Sequence, residues 1–376
     1  MSEYKNPLPG WLAEIPAGTM LSRRAWPEVK YTPAGSTEEK DISEDIGKFF
    51  LSMTYTDNLS DAADDVNIEL EDRAQIWQAD WYPEGEGNKL DIAIHIYNGI
   101  TLQDGEVVFK PGKFEIDEIE ANGFPSTVSI KAVSILGDST LRGTRKNKTW
   151  ENISVWKCAA DICEQNGIEL FWDCEENPNL DHVEQADESD LDFLLKICHD
   201  HGMSLKITPE KIIIFDDAKF EAADPVITIY KPGVTAELNG NTMPLRWLID
   251  YRLRAKTRDT YWKCQVKYQK GKDKELIEGE FSAPNKEKGR ILFVREQVES
   301  QAEAERLAKK KLREANKEEM TGEFTTIGNH NIAAGQVVEL KNFGKFDGNY
   351  LVTKASHEIR EDYRTKIYVR RCLSGY

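Results

Sequence analysis

Alternation of apolar and polar residues between positions 26 and 133 constrains the fold more than any other feature of the sequence. It recurs in five runs: KFFLSMTYTDNLS, DDVNIELEDR, DIAIHIYNG, KFEIDEIEANG and STVSIKAVS. Successive side chains of a strand point to opposite faces, so a period of two is typical of half-buried antiparallel strands. At least five strands, spaced about 10–15 residues apart, predict a sandwich or a small barrel.

The pattern changes from strand to helix in the middle of the chain. TWENISVWKCAADICEQNG predicts a helix that ends at Gly167, because glycine readily adopts the left-handed conformation that follows a helix. The residues expected on its apolar face are Ile153, Trp156, Ala160 and Cys163. The next run, IELFWD, predicts a strand.

A second helix is predicted to begin at Ser189, where Asp192 completes an imperfect capping box, and to end at Gly202. Its expected apolar face carries Leu191, Leu194, Leu195 and Cys198. SLKITPEKIIIF then predicts a hairpin that turns at Pro209-Glu210. Helix, glycine and strand therefore occur twice in succession, which predicts a small α/β module.

Strands return in the last third of the chain. The predicted strands lie in ITIYKPG, MPLRWLIDYRLRAKT, TYWKCQVKYQ, ILFVREQV, GQVVELKN, GNYLVTKASHEI and YRTKIYVRR. One helix, at about residues 300–316, interrupts them. Ser300 is its predicted cap with Glu303 at the reciprocal position, and the expected buried side carries Leu307, Leu312 and Ala315.

The predicted fold class is mainly β with an α/β insertion, in which two β-barrel domains are separated by the small α/β module. The predicted divisions are an N-terminal arm, a first β-barrel domain, the module, and a second β-barrel domain with one helix, at residues 1–20, 21–145, 146–224 and 225–376. At about 150 residues per domain, a chain of 376 residues is long enough for this organisation.

Charge is distributed unevenly along the chain, whose net charge is −17. Residues 1–145 carry 13 Lys and Arg against 26 Asp and Glu, and residues 146–224 carry 7 against 19. Residues 225–376 reverse the balance, with 29 against 21. An acidic front and a basic back can attract one another between copies, or each can be a solvated surface. Without a dense basic patch, reading of a nucleic-acid groove is not expected.

No sequence motif of a common active site is present. The chain lacks a phosphate loop ending in GK[ST], a GxGxxG after a strand, a GxSxG elbow and an HExxH helix. Its six cysteines include no CxxC pair, which favours reduced core thiols over zinc ligands or disulfides. No apolar run approaches the roughly 20 residues of a membrane-spanning helix, and the N-terminal sequence lacks the pattern of a signal peptide.

Two clusters are candidates for metal binding, and for each we favour a structural interpretation. In Cys198-His199-Asp200-His201, helical spacing turns the cysteine toward the core and the histidines elsewhere, so one ion is hard to share. The acidic run of Asp57, Asp61, Asp64 and Asp65 lacks the ligand order and central glycine of a calcium loop, so a solvated turn with a helix or strand start is expected. We therefore predict no catalytic, cofactor-binding or metal-binding residue and no cofactor.

Three stretches resemble the phage late control protein D family, the hub proteins of contractile-tail baseplates. The first runs from RAWPEV through FFLSMTYTDNLSDAADDVNIELEDRAQIW to ADWYPEGEGNKL, the second is ESDLDFLLKICHDHGMSLKIT, and the third is AAGQVVELKNFGKFDGNYLVTKASHEI followed by YRTKIYVRR. The resemblance implies a fold of tail-hub type, similar to the head of the type VI secretion spike protein VgrG. It also implies a structural protein rather than an enzyme.

The implied function is a homotrimeric ring that joins a hexameric tail tube to a trimeric central spike and surrounds the channel. Implied partners are the spike, the tube or its initiator, wedge or LysM-type baseplate proteins, and a tape measure protein or DNA that passes without specific binding. We expect no membrane partner, and we expect assembly in the bacterial cytoplasm before incorporation into a virion or particle tail. The alternative from the aromatic-rich β regions is a cell-wall-active or carbohydrate-binding tail enzyme.

Overall fold

The structure is a computed structural model that describes residues 23–376 except 61, 80, 82, 84, 100–104, 135–140, 142–143, 209–210, 232–234, 239–240, 245–247, 271–274 and 299. The predicted N-terminal arm lies outside the described residues. We name residues 23–134 the first β part, 144–224 the middle module and 225–376 the second β part. As domain boundaries, the divisions made from the sequence stay a prediction.

The first β part consists of seven strands and one short helix. They are β1 (Arg24–Thr32), β2 (Lys40–Asp41), α1 (Ser43–Phe49), β3 (Phe50–Asn58), β4 (Asp65–Glu71), β5 (Lys89–Tyr97), β6 (Glu106–Asn122) and β7 (Thr127–Ser134). The five runs with a period of two are β3 to β7, so these predictions are confirmed. Val66, Ile68 and Leu70 of β4 are all buried, as the alternation requires.

The middle module alternates short strands with helices around its own apolar core. Its elements are β8 (Arg145–Ser154), α2 (Val155–Gln165), β9 (Glu169–Asp173), β10 (Asn179–Ser189), α3 (Asp190–Asp200), β11 (Ser204–Ile207), β12 (Lys211–Phe215) and α4 (Asp217–Glu221). Strands β11, β12 and β9 form one sheet, in which β9 and β12 are parallel, and β8 pairs with β10 in a separate ribbon. The α/β insertion is therefore confirmed.

The second β part contains the remaining strands and one long helix. They are β13 (Ile227–Tyr230), β14 (Thr235–Leu238), β15 (Asn241–Pro244), β16 (Leu248–Ala255), β17 (Tyr261–Lys270), β18 (Glu275–Ser282), β19 (Arg290–Val294), α5 (Gln301–Asn316), β20 (Met320–Ile327), β21 (Val337–Lys341), β22 (Gly348–Ile359) and β23 (Tyr363–Arg371). The sequence predicted the helix and most of these strands. It missed β14, β18 and β20, the last of which contains Gly322 and three threonines.

One thirteen-stranded sheet runs through both β parts. Its order is β16-β20-β23-β22-β3-β4-β7-β6-β5-β1-β2, and β13 and β21 extend it beside β22. The two parts join where β22 pairs with β3, with Ser356 opposite Thr56 and His357 opposite Tyr55. Two apolar cores lie on the sheet, one in each β part. Among the described residues, strand pairing does not return from β2 to the start of the order, so barrel closure stays a prediction.

The apolar face predicted for the first helix of the module is wrong at Ile153 and Trp156, whereas Cys163 is buried as predicted. Ser154 caps α2 by accepting a hydrogen bond from the backbone N–H of Lys157, so the helix begins at Val155. Ile153 therefore belongs to strand β8, and Trp156 points outward with 43% of its surface exposed. The buried face carries Val155, Cys158, Ala159, Ile162 and Cys163.

The predicted caps of the other two helices are confirmed. The Ser189 hydroxyl accepts a hydrogen bond from the Asp192 N–H at 3.1 Å, and the Ser300 hydroxyl accepts one from the Glu303 N–H at 3.2 Å. Gly202 follows α3 with a φ of 67°, the left-handed conformation that ends many helices. The buried face of α5 is carried by Ala304, Ala308, Leu312 and Asn316, which recur at helical spacing.

Helix α5 packs directly against a small sheet of order β18-β17-β19 that is separate from the large one. A Cβ atom added to Gly279 of β18 would lie 2.3 Å from the carbonyl carbon of Ala304. Glycine at this position therefore lets the helix backbone rest on the strand. No Ala side chain fits there without moving the helix.

We expect Gly279→Ala to destabilise the protein by about 1–3 kcal/mol, because the added methyl group collides with helix backbone that cannot rotate away. The matched control is Gly123→Ala, where the added Cβ meets nothing within 4 Å. That control should change the unfolding free energy by less than about 0.5 kcal/mol. Urea unfolding of both variants makes the comparison, and equal effects would refute the packing argument.

Candidate functional site

Eight adjacent strands of the large sheet present one continuous polar face across both β parts. They run in the order β16-β20-β23-β22-β3-β4-β7-β6, and each neighbouring pair is antiparallel. Residues directly opposite one another lie on the same face of a sheet. We use the name polar face for the residues that this pairing places on one side of the eight strands. They are Arg252, Arg254, Glu323, Thr325, Lys366, Tyr368, Lys354, Ser356, Glu358, Thr54, Thr56, Asn67, Glu69, Ser129, Lys131, Glu118 and Glu120.

Both signs of charge are interleaved on the polar face. Lys366 lies 3.4 Å from Glu323 on the second β part, and Lys131 lies 2.6 Å from Glu118 on the first. The ammonium group of Lys366 also lies 4.8 Å from the ring centroid of Tyr368. Apart from the buried Thr56, the side chains of the polar face are exposed or half-buried, while most side chains on the opposite face of the same strands are buried. The polar face is therefore hydrophilic along its length and belongs to neither β part alone.

The seam between the two β parts is lined by buried aromatic and polar rings. His357 of β22 stacks on Tyr55 of β3 with ring centroids 5.9 Å apart. The Tyr363 hydroxyl donates to Nδ1 of His357 at 2.8 Å, and Nε2 donates to the carbonyl of Ile332 at 3.2 Å. Burial lowers the pKa of His357 to about 4, so the ring is neutral at pH 7. A neutral ring satisfies both of these hydrogen bonds.

A buried ion cluster joins the middle module to both β parts. The Lys206 ammonium group on β11 binds Oδ1 of Asp57 at the end of β3 and donates to the carbonyl of Asn58 at 2.8 Å. Oδ2 of Asp57 accepts a hydrogen bond from the backbone N–H of Ala334 in the second β part at 2.7 Å. One carboxylate thus contacts the module and the second β part at once.

Asp64 completes this cluster from the first β part. Its Oδ1 lies 3.8 Å from Lys206 and accepts a hydrogen bond from the Asn58 N–H at 2.9 Å. Burial raises the pKa of Asp64 to about 6, and the nearby lysine opposes this shift. The cluster therefore depends on Lys206 to compensate for carboxylates that have been removed from water.

A second ion cluster anchors α4 to the second β part. Glu221 of α4 is buried and binds two guanidinium groups, those of Arg370 on β23 and Arg313 on α5. The other carboxylate oxygen of Glu221 accepts a hydrogen bond from the backbone N–H of Leu373 at 2.7 Å. Arg370 also donates to Asp217 at 2.7 Å. Between the two ion clusters lies an apolar one, formed by Leu59, Phe215, Val337 and Leu351 with Ile213, Phe220, Ala334 and Cys372 against it.

The solvated turn predicted for the acidic run is wrong for Asp57 and Asp64, whereas the strand start predicted with it is confirmed at Asp65. Asp57 and Asp64 are buried, because Lys206 and two backbone N–H groups satisfy their oxygens inside the junction. Asp61 lies outside the described residues, and Asp65 lies at the start of β4. The run is a structural centre rather than a surface loop.

The Cys198-His199-Asp200-His201 cluster disperses in space. Cys198 is buried in the module core, His199 is exposed at the end of α3, and the carbonyl of His201 accepts a hydrogen bond from Lys310. Across the described ranges, no group of three His, Cys, Asp or Glu residues is placed to hold a metal ion.

All six cysteines are free, and burial raises the pKa of Cys158 to about 12. No helix among the described residues is long and apolar enough to cross a membrane.

Comparison with known families identifies the architecture. The family model described as phage tail baseplate hub (GPD) matches residues 124–363, more than half of the chain. The chain belongs to the phage tail baseplate hub family. The match covers the end of the first β part, the middle module and most of the second β part, including all of β22 and the first residue of β23.

Two curated relatives carry the same description. The probable baseplate hub protein of Escherichia phage P2 is 29% identical over 182 residues, which are 47% of this chain and 43% of the relative. The probable baseplate hub protein of Escherichia phage 186 is 24% identical over 180 residues, 46% of this chain and 42% of the relative. The matched segment therefore spans less than half the length of either relative.

Solved structures share the fold over nearly the whole chain. A prophage MuSo2 43 kDa tail protein from Shewanella oneidensis has a TM-score of 0.64 at 12% identity, covering 92% of this chain and 98% of its own. A tail protein from Neisseria meningitidis MC58 has a TM-score of 0.63 at 14% identity, with 92% and 97% covered. A chain of the Francisella PdpA–VgrG complex reaches 0.52 at 8% identity, covering 93% of this chain and 58% of its own. The predicted mainly β fold of tail-hub type is confirmed.

Sequence reasoning missed the residues that build the junction. Lys206 sits between two buried apolar residues of β11, so its outward direction follows from the alternation in SLKI. Its partner Asp57 is 149 positions away, and no local pattern connects the two. The one sequence signal is an acidic residue, Asp57, at the end of an alternating strand pattern.

We expect Lys206→Met to destabilise the protein by about 3 kcal/mol, because it leaves a buried carboxylate without its cation. Lys219→Met is the matched control, since it breaks a 2.6 Å pair with Asp173 whose side chains are both more than a third exposed. The control should lose less than about 1 kcal/mol. Thermal and urea unfolding measure both, and similar losses would show that the Lys206 cluster contributes little.

The pH dependence of stability should reveal the buried His357. The folded-state pKa is about 4 and the ordinary value is 6.5, so an unfolded chain takes up a proton first as pH falls. Stability from this group is complete above about pH 6.5 and decreases by about 3 kcal/mol as pH falls through 6.5 toward 4. His357→Gln should therefore lose stability less steeply than the wild type over this range.

Urea unfolding at a series of pH values between 7 and 4 measures this difference. The control variant is His199→Gln on the exposed end of α3, which should follow the wild-type slope. Contributions from Asp64, whose raised pKa acts in the opposite direction, are common to all three proteins and cancel in the comparison. Parallel curves for wild type and His357→Gln would contradict the buried neutral ring.

Proposed function

We propose that this chain is a structural baseplate hub protein whose copies form a three-membered ring around the channel of a contractile phage tail, tailocin or related injection apparatus. The observation that carries this proposal is the polar face, which crosses both β parts without interruption. Toward Leu351 and Arg370 the middle module covers this side of the sheet. The rest of the polar face has no covering layer among the described residues and must be hydrophilic, as it is. In a ring, such a face suits the wall of a water-filled channel.

The contacts that hold the two β parts and the middle module together support the same proposal. A channel wall built from two β parts needs them in one fixed relative orientation. Here β22 pairs with β3, and two buried ion clusters connect the middle module to the second β part. We propose that the middle module acts as a brace that keeps the eight strands in one curved sheet.

The charges of the polar face bear on what the channel can pass. Carboxylates and lysines alternate on it, for example Glu118 beside Lys131 and Glu323 beside Lys366. A surface of mixed sign offers neither a strong electrostatic attraction nor an apolar patch to a moving polymer. We propose that a tape measure polypeptide or DNA passes along it without specific binding.

The proposed partners follow from the hub role. They are the tail tube or its initiator at one end of the ring, the central spike at the other, and wedge or LysM-type proteins outside. Support comes from family membership and from the description of both curated relatives as probable baseplate hub proteins. We propose assembly in the bacterial cytoplasm followed by incorporation into the particle tail, with a structural rather than a catalytic role.

Native mass spectrometry and negative-stain imaging of the purified chain test this function. We expect a species of three times 42.9 kDa that appears as a ring with a central hole. If the chain alone is monomeric, the same measurements are made after co-expression with a candidate spike protein. A stable dimer, or the absence of a threefold ring in both preparations, would refute the hub proposal.

A further inference from the structure

The polar face ends at an open strand edge on both sides. At one side, β16 pairs with β20, and no other strand of the described residues pairs with the second edge of β16. At the other side, β5 accompanies β6 only as far as Glu115, while β6 continues to Asn122 paired with β7 alone. The Ile116 N–H still donates to the carbonyl of Asn88, so the free edge of β6 comprises its last six residues, from Asp117 to Asn122. Open edges are templates for pairing with another strand.

The β16 edge is basic. Arg252 and Arg254 are exposed, lie on the polar face opposite Glu323 and Thr321 of β20, and form no ion pair among the described residues. Arg258, just beyond the strand, is also exposed. Asp250, opposite Thr325, is the one carboxylate exposed on this face of β16, so the two arginines leave the strand with a net positive charge.

The free end of β6 is acidic. Asp117, Glu118 and Glu120 are all exposed, and Lys131 of β7 is the cation beside them, 2.6 Å from Glu118 and 3.5 Å from Glu120. One lysine among three carboxylates leaves this end negative. Glu118 and Glu120 lie on the polar face, opposite Lys131 and Ser129 of β7.

The two edges match in the spacing of their charges and in direction. The free edges are eight residues long on β16 and six on β6, and each carries two like charges separated by one residue on the same face. Because the eight strands alternate in direction, the first and last strands are antiparallel. A head-to-tail ring of copies therefore brings β16 of one copy antiparallel to β6 of the next. Arg252 can then lie opposite Glu120, and Arg254 opposite Glu118.

We propose that neighbouring copies of this chain join by pairing the β16 edge of one copy with the free end of β6 of the next, so that the polar face becomes one closed sheet around the channel. This rests on the proposed hub function and specifies its interface. Oppositely charged residues that face one another across antiparallel strands stabilise the pairing, and like charges in the same positions destabilise it. Closure also removes both open edges from solvent.

Charge reversal on each edge tests the pairing. One variant carries Arg252→Glu with Arg254→Glu, a second carries Glu118→Lys with Glu120→Lys, and a third carries all four changes. We expect each of the first two to shift the concentration of half-assembly upward by roughly tenfold or more, since like charges then face one another. The variant with all four changes, called the four-fold variant, restores opposite charges on the two edges and should assemble nearly as the wild type does. Native mass spectrometry measures the three-copy species, alone or with the co-expressed spike.

Two controls make the experiment specific. Lys288→Glu with Arg295→Glu produces the same change in net charge as the arginine variant at exposed positions away from the polar face, and it should assemble normally. An equimolar mixture of the first two variants should not close a three-membered ring. Contacts between oppositely charged edges form only where the two variants alternate around the ring. A ring with an odd number of copies always contains at least one contact between edges of like charge.

The outcomes distinguish the interface from the function. If the wild type forms a three-copy ring and the two edge variants form it equally well, the pairing is refuted and the hub proposal stands. If the four-fold variant fails as badly as its parents while its thermal midpoint is unchanged, charge complementarity between these edges is refuted. If the wild type forms no ring with or without the spike, both proposals fall.

Discussion

Lys206 lies where the three parts of the chain meet, and the rest of the architecture depends on how its charge is satisfied. Its ammonium group binds Asp57 at the end of β3, and Asp57 in turn accepts a backbone hydrogen bond from Ala334 of the second β part. Charges removed from water are tolerated only in near-ideal surroundings of opposite charge and hydrogen bonds. This requirement permits one arrangement of the parts, and small rotations between them would leave Asp57 or Asp64 unsatisfied. A buried cluster of this kind therefore specifies orientation more than it adds stability.

The fixed orientation of the three parts determines which residues share a face of the large sheet. Because β22 pairs with β3, polar residues contributed by chain segments about 300 positions apart form one face eight strands wide. On the opposite face, the two apolar cores meet at the stacked rings of Tyr55 and His357. The seam between β22 and β3 is both polar and buried. The two apolar cores can therefore join there while the register between these strands stays defined. A protein that has to present a continuous surface from two β parts gains that continuity from backbone pairing rather than from side chains alone.

Sequence reasoning succeeded where the determining contacts are local, and it failed where they are distant. The alternation in β4 and the caps at Ser189 and Ser300 were predicted correctly, because each depends on residues within a few positions. The face of α2 was predicted one step out of phase, since the Ser154 cap starts the helix later than the apolar spacing suggested. The acidic run was taken for a solvated turn because its cation, Lys206, comes from another part of the chain.

By itself, the sequence determined which segments are strands and helices, which side of most strands is buried, and the family resemblance that the match to residues 124–363 confirmed. Only the tertiary structure decided that β22 pairs with β3, that Asp57 and Glu221 are buried ion centres, and that the polar face ends in a basic edge and an acidic edge. The physical reason is that alternation specifies the direction of a side chain but not the neighbour of a strand. Strand pairing and charge pairing between distant segments are selected by the packing of the whole chain.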